Sequence, residues 1–94
     1  MALLDLLGRR AALRILWELR DRRHNFRGLV EAADTNPGVL NTRLKELREA
    51  HLVERGTRTE GYGLTAQGRD LLHTFLPLDA WAERWARAMD KKAR

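Results

Sequence analysis

The side chains best suited to recognition chemistry lie on one face of a single amphipathic segment. Leu40, Leu44 and Leu47 recur at helical spacing and predict a buried stripe. The opposite face carries small or polar residues: Gly38, Asn41, Thr42, Lys45 and Glu49. The amide of Asn41 offers a donor beside an acceptor, which matches the major-groove edge of adenine. The pattern favours a helix that reads base edges, although any solvated helix also has a polar face.

The start of this helix is marked by two residues. Asn36 suits the N-cap position, and Pro37 suits the first helical position because its missing N–H is not needed there. We expect the helix to run from Pro37 to Ala50 and Asn36 to lie near a bound nucleic acid. A short helix over 26–33 precedes it, with three apolar residues turned inward: Phe26, Leu29 and Val30. The two segments together predict a helix-turn-helix.

A charged hairpin follows the amphipathic helix. Residues 52–55 alternate as a half-buried strand does, residues 56–61 form a turn, and residues 62–64 return as a partner strand. Arg55 and Arg58 are placed to bind phosphates, and Arg27 on the preceding short helix is a further backbone contact. The alternative is a hairpin whose charges only keep it soluble, because Glu54 and Glu60 partly offset the arginines.

Catalytic and metal-binding chemistry finds little support in the sequence. The three histidines are far apart and none has metal-ligand spacing, and the chain contains no serine, no cysteine and no glycine-rich phosphate loop. We therefore predict no catalytic, metal or cofactor site, and no thiol-based redox sensing.

Composition favours a polyanionic partner. Eighteen Lys and Arg residues against thirteen Asp and Glu residues give a formal net charge of +5 and a pI near 10.7. No apolar run approaches the roughly 18 residues that a membrane span needs. Asp5 interrupts the leucine-rich start, which argues against a signal peptide, so we predict a cytoplasmic protein without a membrane partner.

The chain is predicted to form one domain, residues 1–94, of mainly α class with a small β-hairpin, a winged helix-turn-helix. A helix over 9–20 should place three residues in the core: Leu13, Leu16 and Trp17. Thr65 should cap a further helix, which we expect to kink or break at Pro77. The boundary between a DNA-reading core at about 9–76 and a C-terminal helix at about 78–90 follows from that break.

Apolar residues near both ends predict self-association. In a monomer this small, three to four apolar positions of the C-terminal segment could cap the core. Trp81 and Trp85, one helical turn apart, nevertheless form a large apolar stripe that favours a partner. We predict a homodimer interface that combines them with four leucines and a methionine: Leu3, Leu4, Leu7, Leu78 and Met89.

Three segments of the sequence carry a family resemblance: NFRGL at 25–29, PGVLNTRLKEL at 37–47 and YGLTAQG at 62–68. Together they resemble the HxlR-type winged helix-turn-helix transcriptional regulators, over roughly Gly8 to Trp81. The stretch LTAQG at 64–68 is shared with MarR-like and PadR-like relatives, and Leu78 and Trp81 favour HxlR. The resemblance implies a small cytoplasmic homodimer that binds operator DNA, often as a repressor. It also gives Arg43 a phosphate contact, although its position on the helical wheel lies toward the buried side.

The sequence departs from the family pattern at several positions. The family commonly has Gly-Lys-Trp where this chain has Gly8, Arg9 and Arg10, and Gly38 stands where a basic residue reads DNA, so base preference does not transfer. The hairpin is also short. The residues predict a homodimeric DNA-binding regulator, and the resemblance implies that it acts as a repressor. The alternatives are a protein-interaction module of the same fold and a regulator gated by a small-molecule effector, for which no convergent polar set is visible.

Overall fold

Five helices and one β-hairpin follow one another over residues 2–93, the part of the chain that the computed structural model describes. Their order is α1 (Ala2–Leu7), α2 (Ala12–Glu18), α3 (Phe26–Ala32), α4 (Pro37–Glu49), β1 (Val53–Arg55), β2 (Tyr62–Leu64) and α5 (Ala66–Ala93). The predicted order of elements and the mainly helical class are confirmed. Residues 1 and 94 of the predicted domain lie outside the described range.

Leucines supply most of the hydrophobic core. Leu40, Leu44 and Leu47 of α4 are at most 3% exposed, which confirms the predicted stripe. Around them pack apolar residues of every other element, among them Leu7, Ile15, Leu16, Leu19, Leu29, Leu52, Val53, Leu64 and Leu72. The core therefore fixes α4 against the rest of the chain on one side and leaves its other side open.

The face of α2 that packs on the core differs from the face that the sequence predicted. Leu16 is buried as expected, but Leu13 is 41% exposed and Trp17 is only partly buried. Ile15 and Leu19 are buried instead. Residues 12, 15, 16 and 19 also have the i, i+3, i+4, i+7 spacing of one helix face. The sequence was therefore compatible with either face packing on the core.

The break expected at Pro77 is absent, because α5 is one helix of 28 residues with that proline inside it. A proline removes one backbone donor and its ring crowds the carbonyl four residues earlier, effects that can bend a helix without ending it. A helix of this length spans about 42 Å, which accounts for most of the 49 Å long axis of the molecule. The predicted boundary at 76–78 thus falls within a continuous helix.

The start of α5 is tied closely to the hairpin. The Thr65 hydroxyl accepts the Gly68 N–H at 3.0 Å and donates to the carbonyl of His51 at 2.6 Å, which confirms the predicted cap. A Cβ on Gly68 would lie 2.1 Å from the carbonyl oxygen of Leu52. Only glycine permits this approach, so α5 packs directly against the chain that enters β1.

The hairpin is antiparallel and pairs Val53 with Leu64, Glu54 with Gly63, and Arg55 with Tyr62. His24, in the connection before α3, forms an isolated bridge to Tyr62 on the other side of β2. The α2–α3 connection thereby runs alongside the hairpin. Within residues 2–93, no helix has both the length and the apolar character required to cross a membrane.

Candidate nucleic-acid interface

Two asparagines set the geometry of the helix-turn-helix. The Asn25 side chain accepts the N–H of Gly28 at 2.7 Å at the start of α3, and the Asn36 side chain accepts the N–H of Val39 at 2.9 Å at the start of α4. Asp34 lies between the two helices with a left-handed φ of 50°, a conformation that aspartate tolerates better than most residues. The N-cap predicted for Asn36 is confirmed, and its acceptor oxygen is occupied by the helix.

The outward face of α4 is polar and accessible, as its sequence predicted. Gly38, Asn41, Thr42 and Lys45 are all exposed. The Thr42 hydroxyl donates to the carbonyl of Gly38 at 3.1 Å, so its proton is used within the helix. The amide of Asn41 and the ammonium of Lys45 carry the hydrogen-bonding and charge capacity of this face.

Arg43, for which a phosphate contact was expected, makes contacts within the protein. Its guanidinium is largely buried, donates to the carbonyl of Arg10 at 2.9 Å and pairs with Glu46. Glu46 also pairs with Arg9 at 3.1 Å. These contacts fasten α4 to the α1–α2 connection. Because Nε and Nη1 are engaged in these contacts, Arg43 has an internal structural role, and the phosphate contact expected for it stays a prediction.

A concave surface lies between α4 and the hairpin. It is lined by Asn25, Phe26, Asn41, Arg55, Thr57, Arg58, Gly61 and Tyr62, and we call it the reading cleft. The fold thus brings Asn41 together with Arg55 and Arg58, three residues predicted separately from the sequence. Arg27 is exposed on α3 but does not line the cleft. Asn25 and Thr57 line it without having been predicted, because only the fold shows their proximity.

The turn of the hairpin, residues 56–61, has a defined internal structure. The N–H of Gly56 donates to the carbonyl of Gly61 at 2.7 Å, and the N–H groups of Glu60 and Gly61 both donate to the carbonyl of Thr57. The Glu60 carboxylate accepts the N–H of Thr57 at 3.3 Å. Hydrogen bonds from Thr57, with a smaller contribution from the charge of Arg23, hold the pKa of Glu60 below its ordinary value. Arg58 projects from this turn and is exposed.

The residues predicted for a dimer interface are mostly accessible in the protomer. Leu3, Leu4, Leu78, Trp81, Trp85 and Met89 are all exposed. The rings of Trp81 and Trp85 stack on each other at 6.1 Å with planes 6° apart. Leu7 is the exception, because it is 7% exposed and belongs to the core of its own protomer. It is not available to a second copy and leaves the predicted set.

Within residues 2–93, no three His, Cys, Asp or Glu side chains are grouped in a way that could hold a metal ion.

Known proteins that resemble the chain are transcriptional regulators. Residues 6–90 match the HxlR-like helix-turn-helix family. The quinone-bound YodB of Bacillus subtilis is 32% identical, covering 88% of this chain and 93% of that one, with a TM-score of 0.79. The reduced form of YodB, a transcriptional regulator, is 31% identical over 88% of this chain and 87% of that one, with a TM-score of 0.76.

A protein of Thermoplasma volcanium described as a possible HxlR family transcriptional factor is 26% identical, over 93% of this chain and 84% of that one, with a TM-score of 0.81. None of the curated proteins matches the chain. The capped recognition helix, the hairpin beside it and the match over residues 6–90 agree, so the chain belongs to the HxlR-like helix-turn-helix family and is a DNA-binding transcriptional regulator.

Proposed function

We propose that this protein is a homodimeric repressor that binds a near-palindromic operator. The observation that supports operator binding is the reading cleft, whose lining includes the exposed Asn41 together with Arg55 and Arg58. Base-edge recognition and phosphate binding need these two kinds of group next to each other. Two recognition helices in a dimer would address consecutive major grooves about 34 Å apart.

Within this proposal the residues divide their roles by chemistry. Asn41 pairs with a base, with adenine as the best match for an amide. Lys45 and Thr42 extend that surface along α4, where Gly38 and Asn36 allow close approach to the DNA at the helix start. Arg27, Arg55 and Arg58 bind phosphates and set affinity rather than sequence preference.

Self-association is supported by the apolar residues that the protomer leaves uncovered. Leu78, Trp81 and Trp85 are each at least 51% exposed along the second half of α5. Large side chains exposed at helical spacing are typical of a surface that another helix covers. A second copy that covers them would also bring a second reading cleft to the DNA, which a palindromic operator requires.

The test is selection of bound duplexes from a random DNA pool at about 50 and 200 mM salt. We expect a motif of two half-sites about 10 base pairs apart and a steep loss of affinity at the higher salt. Binding without an enriched motif would contradict operator recognition. Repression itself is measured with a promoter that carries the selected site, where added protein should lower transcript yield.

Two variants separate base reading from phosphate binding. Asn41→Ala should relax sequence preference, whereas Arg58→Ala should weaken binding to all sequences and reduce the salt slope by roughly 0.9. An unchanged slope in Arg58→Ala would remove the hairpin from the interface.

A second candidate function is favoured by the stacked, exposed Trp81 and Trp85. In that case the same fold offers its tail to a different protein, without sequence-specific DNA binding. Solution mass discriminates the two: a stable dimer lost on Trp85→Ala supports the repressor, and a monomer that binds DNA only weakly supports the adaptor.

As a repressor of chromosomal promoters the protein would act in the cytoplasm, and a small-molecule effector that relieves repression is compatible with this function but has no assigned site.

A further inference from the structure

Arg23 lies in the α2–α3 connection and reaches the hairpin with all three of its guanidinium nitrogens. Nε donates to the carbonyl of Glu60 and Nη2 to the carbonyl of Gly61, each at 3.1 Å. Nη1 pairs with the Glu54 carboxylate, also at 3.1 Å. One side chain therefore holds β1 and the end of the turn, 31 to 38 residues away in sequence.

The hairpin is shaped to receive this guanidinium. A Cβ on Gly63 would lie 2.6 Å from Nη1 and 2.9 Å from Cζ of Arg23, and a Cβ on Gly56 would lie 2.7 Å from Nη2. Two glycines thus leave the space that the planar group fills. Next to it, His24 exchanges both backbone hydrogen bonds with Tyr62, at 3.0 and 2.8 Å. The connection and the hairpin are joined by side chain and backbone together.

We propose that Arg23 is the positioning residue of the hairpin: it holds residues 56–61 in the DNA-binding conformation before DNA is present, so that Arg58 binds phosphate without a further ordering cost. The inference rests on the proposed role of Arg58 as a phosphate contact. A guanidinium suits the task because its fixed fork of donors satisfies two carbonyls and a carboxylate at once, which an ammonium at a single point cannot. Fixing backbone in advance removes an entropy cost that binding would otherwise carry.

This role predicts a particular pattern in DNA binding. Arg23→Ala should lower affinity roughly tenfold at every salt concentration, the effect of losing one charged hydrogen-bond cluster. The salt slope should stay at the wild-type value, because Arg58 still reaches its phosphate in the bound state. Arg58→Ala, in contrast, should flatten the slope. Arg23→Lys should fail to restore affinity, whereas a lysine would replace an arginine that merely contacted phosphate.

The free protein gives an independent readout. Amide hydrogen exchange at Gly56, Glu60 and Gly61, whose N–H groups close the turn, should accelerate in Arg23→Ala while exchange in α4 stays slow. Arg22→Ala is the matched control, since it removes an exposed arginine from the adjacent position and should leave exchange and affinity unchanged. Gly63→Ala, which displaces the guanidinium, should mimic Arg23→Ala and add little to it in the double variant.

The outcomes separate the positioning role of Arg23 from the proposed function. Faster exchange in Arg23→Ala with lower affinity and an unchanged slope supports the positioning role. Unchanged exchange, a slope reduced as in Arg58→Ala, or full rescue by lysine overturns it. If Arg58→Ala leaves both affinity and slope unaltered, the phosphate contact fails, and with it the role of Arg23 in DNA binding. The exchange data alone still decide whether Arg23 orders the turn.

Discussion

Two regions of the molecule use the same helical pattern of apolar residues with opposite results. In the reading half, which we define as residues 25–65, the stripe on α4 is buried, and Leu40 is fully inaccessible. In the tail half, residues 76–91, the apolar residues of α5 have the same kind of spacing, yet Leu78, Trp81 and Trp85 remain more than half exposed. In the reading half, the apolar stripe is buried by other elements of the same protomer. The tail half has the pattern of a buried helix without the element that would bury it.

The largest expected effect is on stability, and it is tested by replacing one leucine in each half with alanine. Leu40→Ala should destabilise the protomer by about 2 to 5 kcal/mol, because it leaves a cavity in the core. Leu78→Ala makes the same chemical change on an exposed surface and should cost less than about 0.5 kcal/mol in dilute protein. Urea unfolding at two protein concentrations measures both.

The concentration dependence sharpens this comparison. If a second copy covers the tail, the cost of Leu78→Ala should grow when the protein is concentrated, whereas the cost of Leu40→Ala should change little. A Leu78→Ala cost that is negligible at both concentrations would mean that the tail has no partner copy.

The next effect concerns the tail alone. Trp85→Ala should raise the dimer dissociation constant by roughly thirtyfold or more, which corresponds to the 2 kcal/mol or more of an aromatic hot spot. Sedimentation equilibrium measures it. Arg84→Ala, at the adjacent exposed position, is the control and should leave the constant near that of wild type. If Trp85→Ala changed the dissociation constant as little as Arg84→Ala, the interface would lie elsewhere.

The elements of the reading half could be predicted because their signals are local. The cap at Asn36, the proline after it and the leucine stripe lie within 12 residues of one another, and each acts through neighbouring backbone. An equally local rule predicted a kink or a break at Pro77. The break is absent, since α5 continues through the proline as one helix, and the kink stays a prediction. Local signals therefore predict where a helix begins more securely than they predict whether a long helix continues past a proline.

Contacts between distant residues were not predictable in the same way. Eighteen basic residues are present, and no local pattern distinguishes Arg23, which reaches the hairpin, from the others. The helical wheel placed Arg43 toward the buried side, but it could not show that the guanidinium would meet the carbonyl of Arg10. The glycines at 56 and 63 hold the relevant information, since each leaves space for the Arg23 guanidinium. The role of these glycines can be recognised only once the fold shows that the α2–α3 connection lies beside the hairpin.

A smaller effect tests whether the stability contributed by the N-cap of α4 is independent of dimerisation through the tail. Asn36→Ala should cost about 1 kcal/mol, because the N–H of Val39 loses its acceptor. Asn41→Ala is the matched control: it makes the same substitution inside the helix and should be neutral or slightly stabilising. Thermal unfolding at two protein concentrations should give the same difference between the variants. A difference that depends on concentration would link the cap to dimerisation.

The smallest effect is a pH dependence confined to the hairpin. The pKa of Glu60 is lowered by hydrogen bonds from Thr57 and by the nearby charge of Arg23, so the folded turn favours the ionised carboxylate. A lowered pKa in the folded state means that this stabilisation is complete above the ordinary glutamate pKa of roughly 4.3. It is lost as the pH falls below that value and through the lowered one.

Hydrogen exchange of the hairpin amides between pH 7 and pH 3, corrected for the intrinsic pH dependence of exchange, measures this loss. Protection at the N–H of Thr57, which donates to Glu60, should be constant at neutral pH and decline only in the acidic range. Glu60→Gln should remove the dependence, while protection at Leu40 in the core reports whether the whole protomer unfolds. A decline between pH 7 and pH 5, or one that persists in Glu60→Gln, would assign the titration to another group. Because the turn is closed by groups of the same protomer, the result should not change with protein concentration, in contrast to the stability cost of Leu78→Ala if a second copy covers the tail.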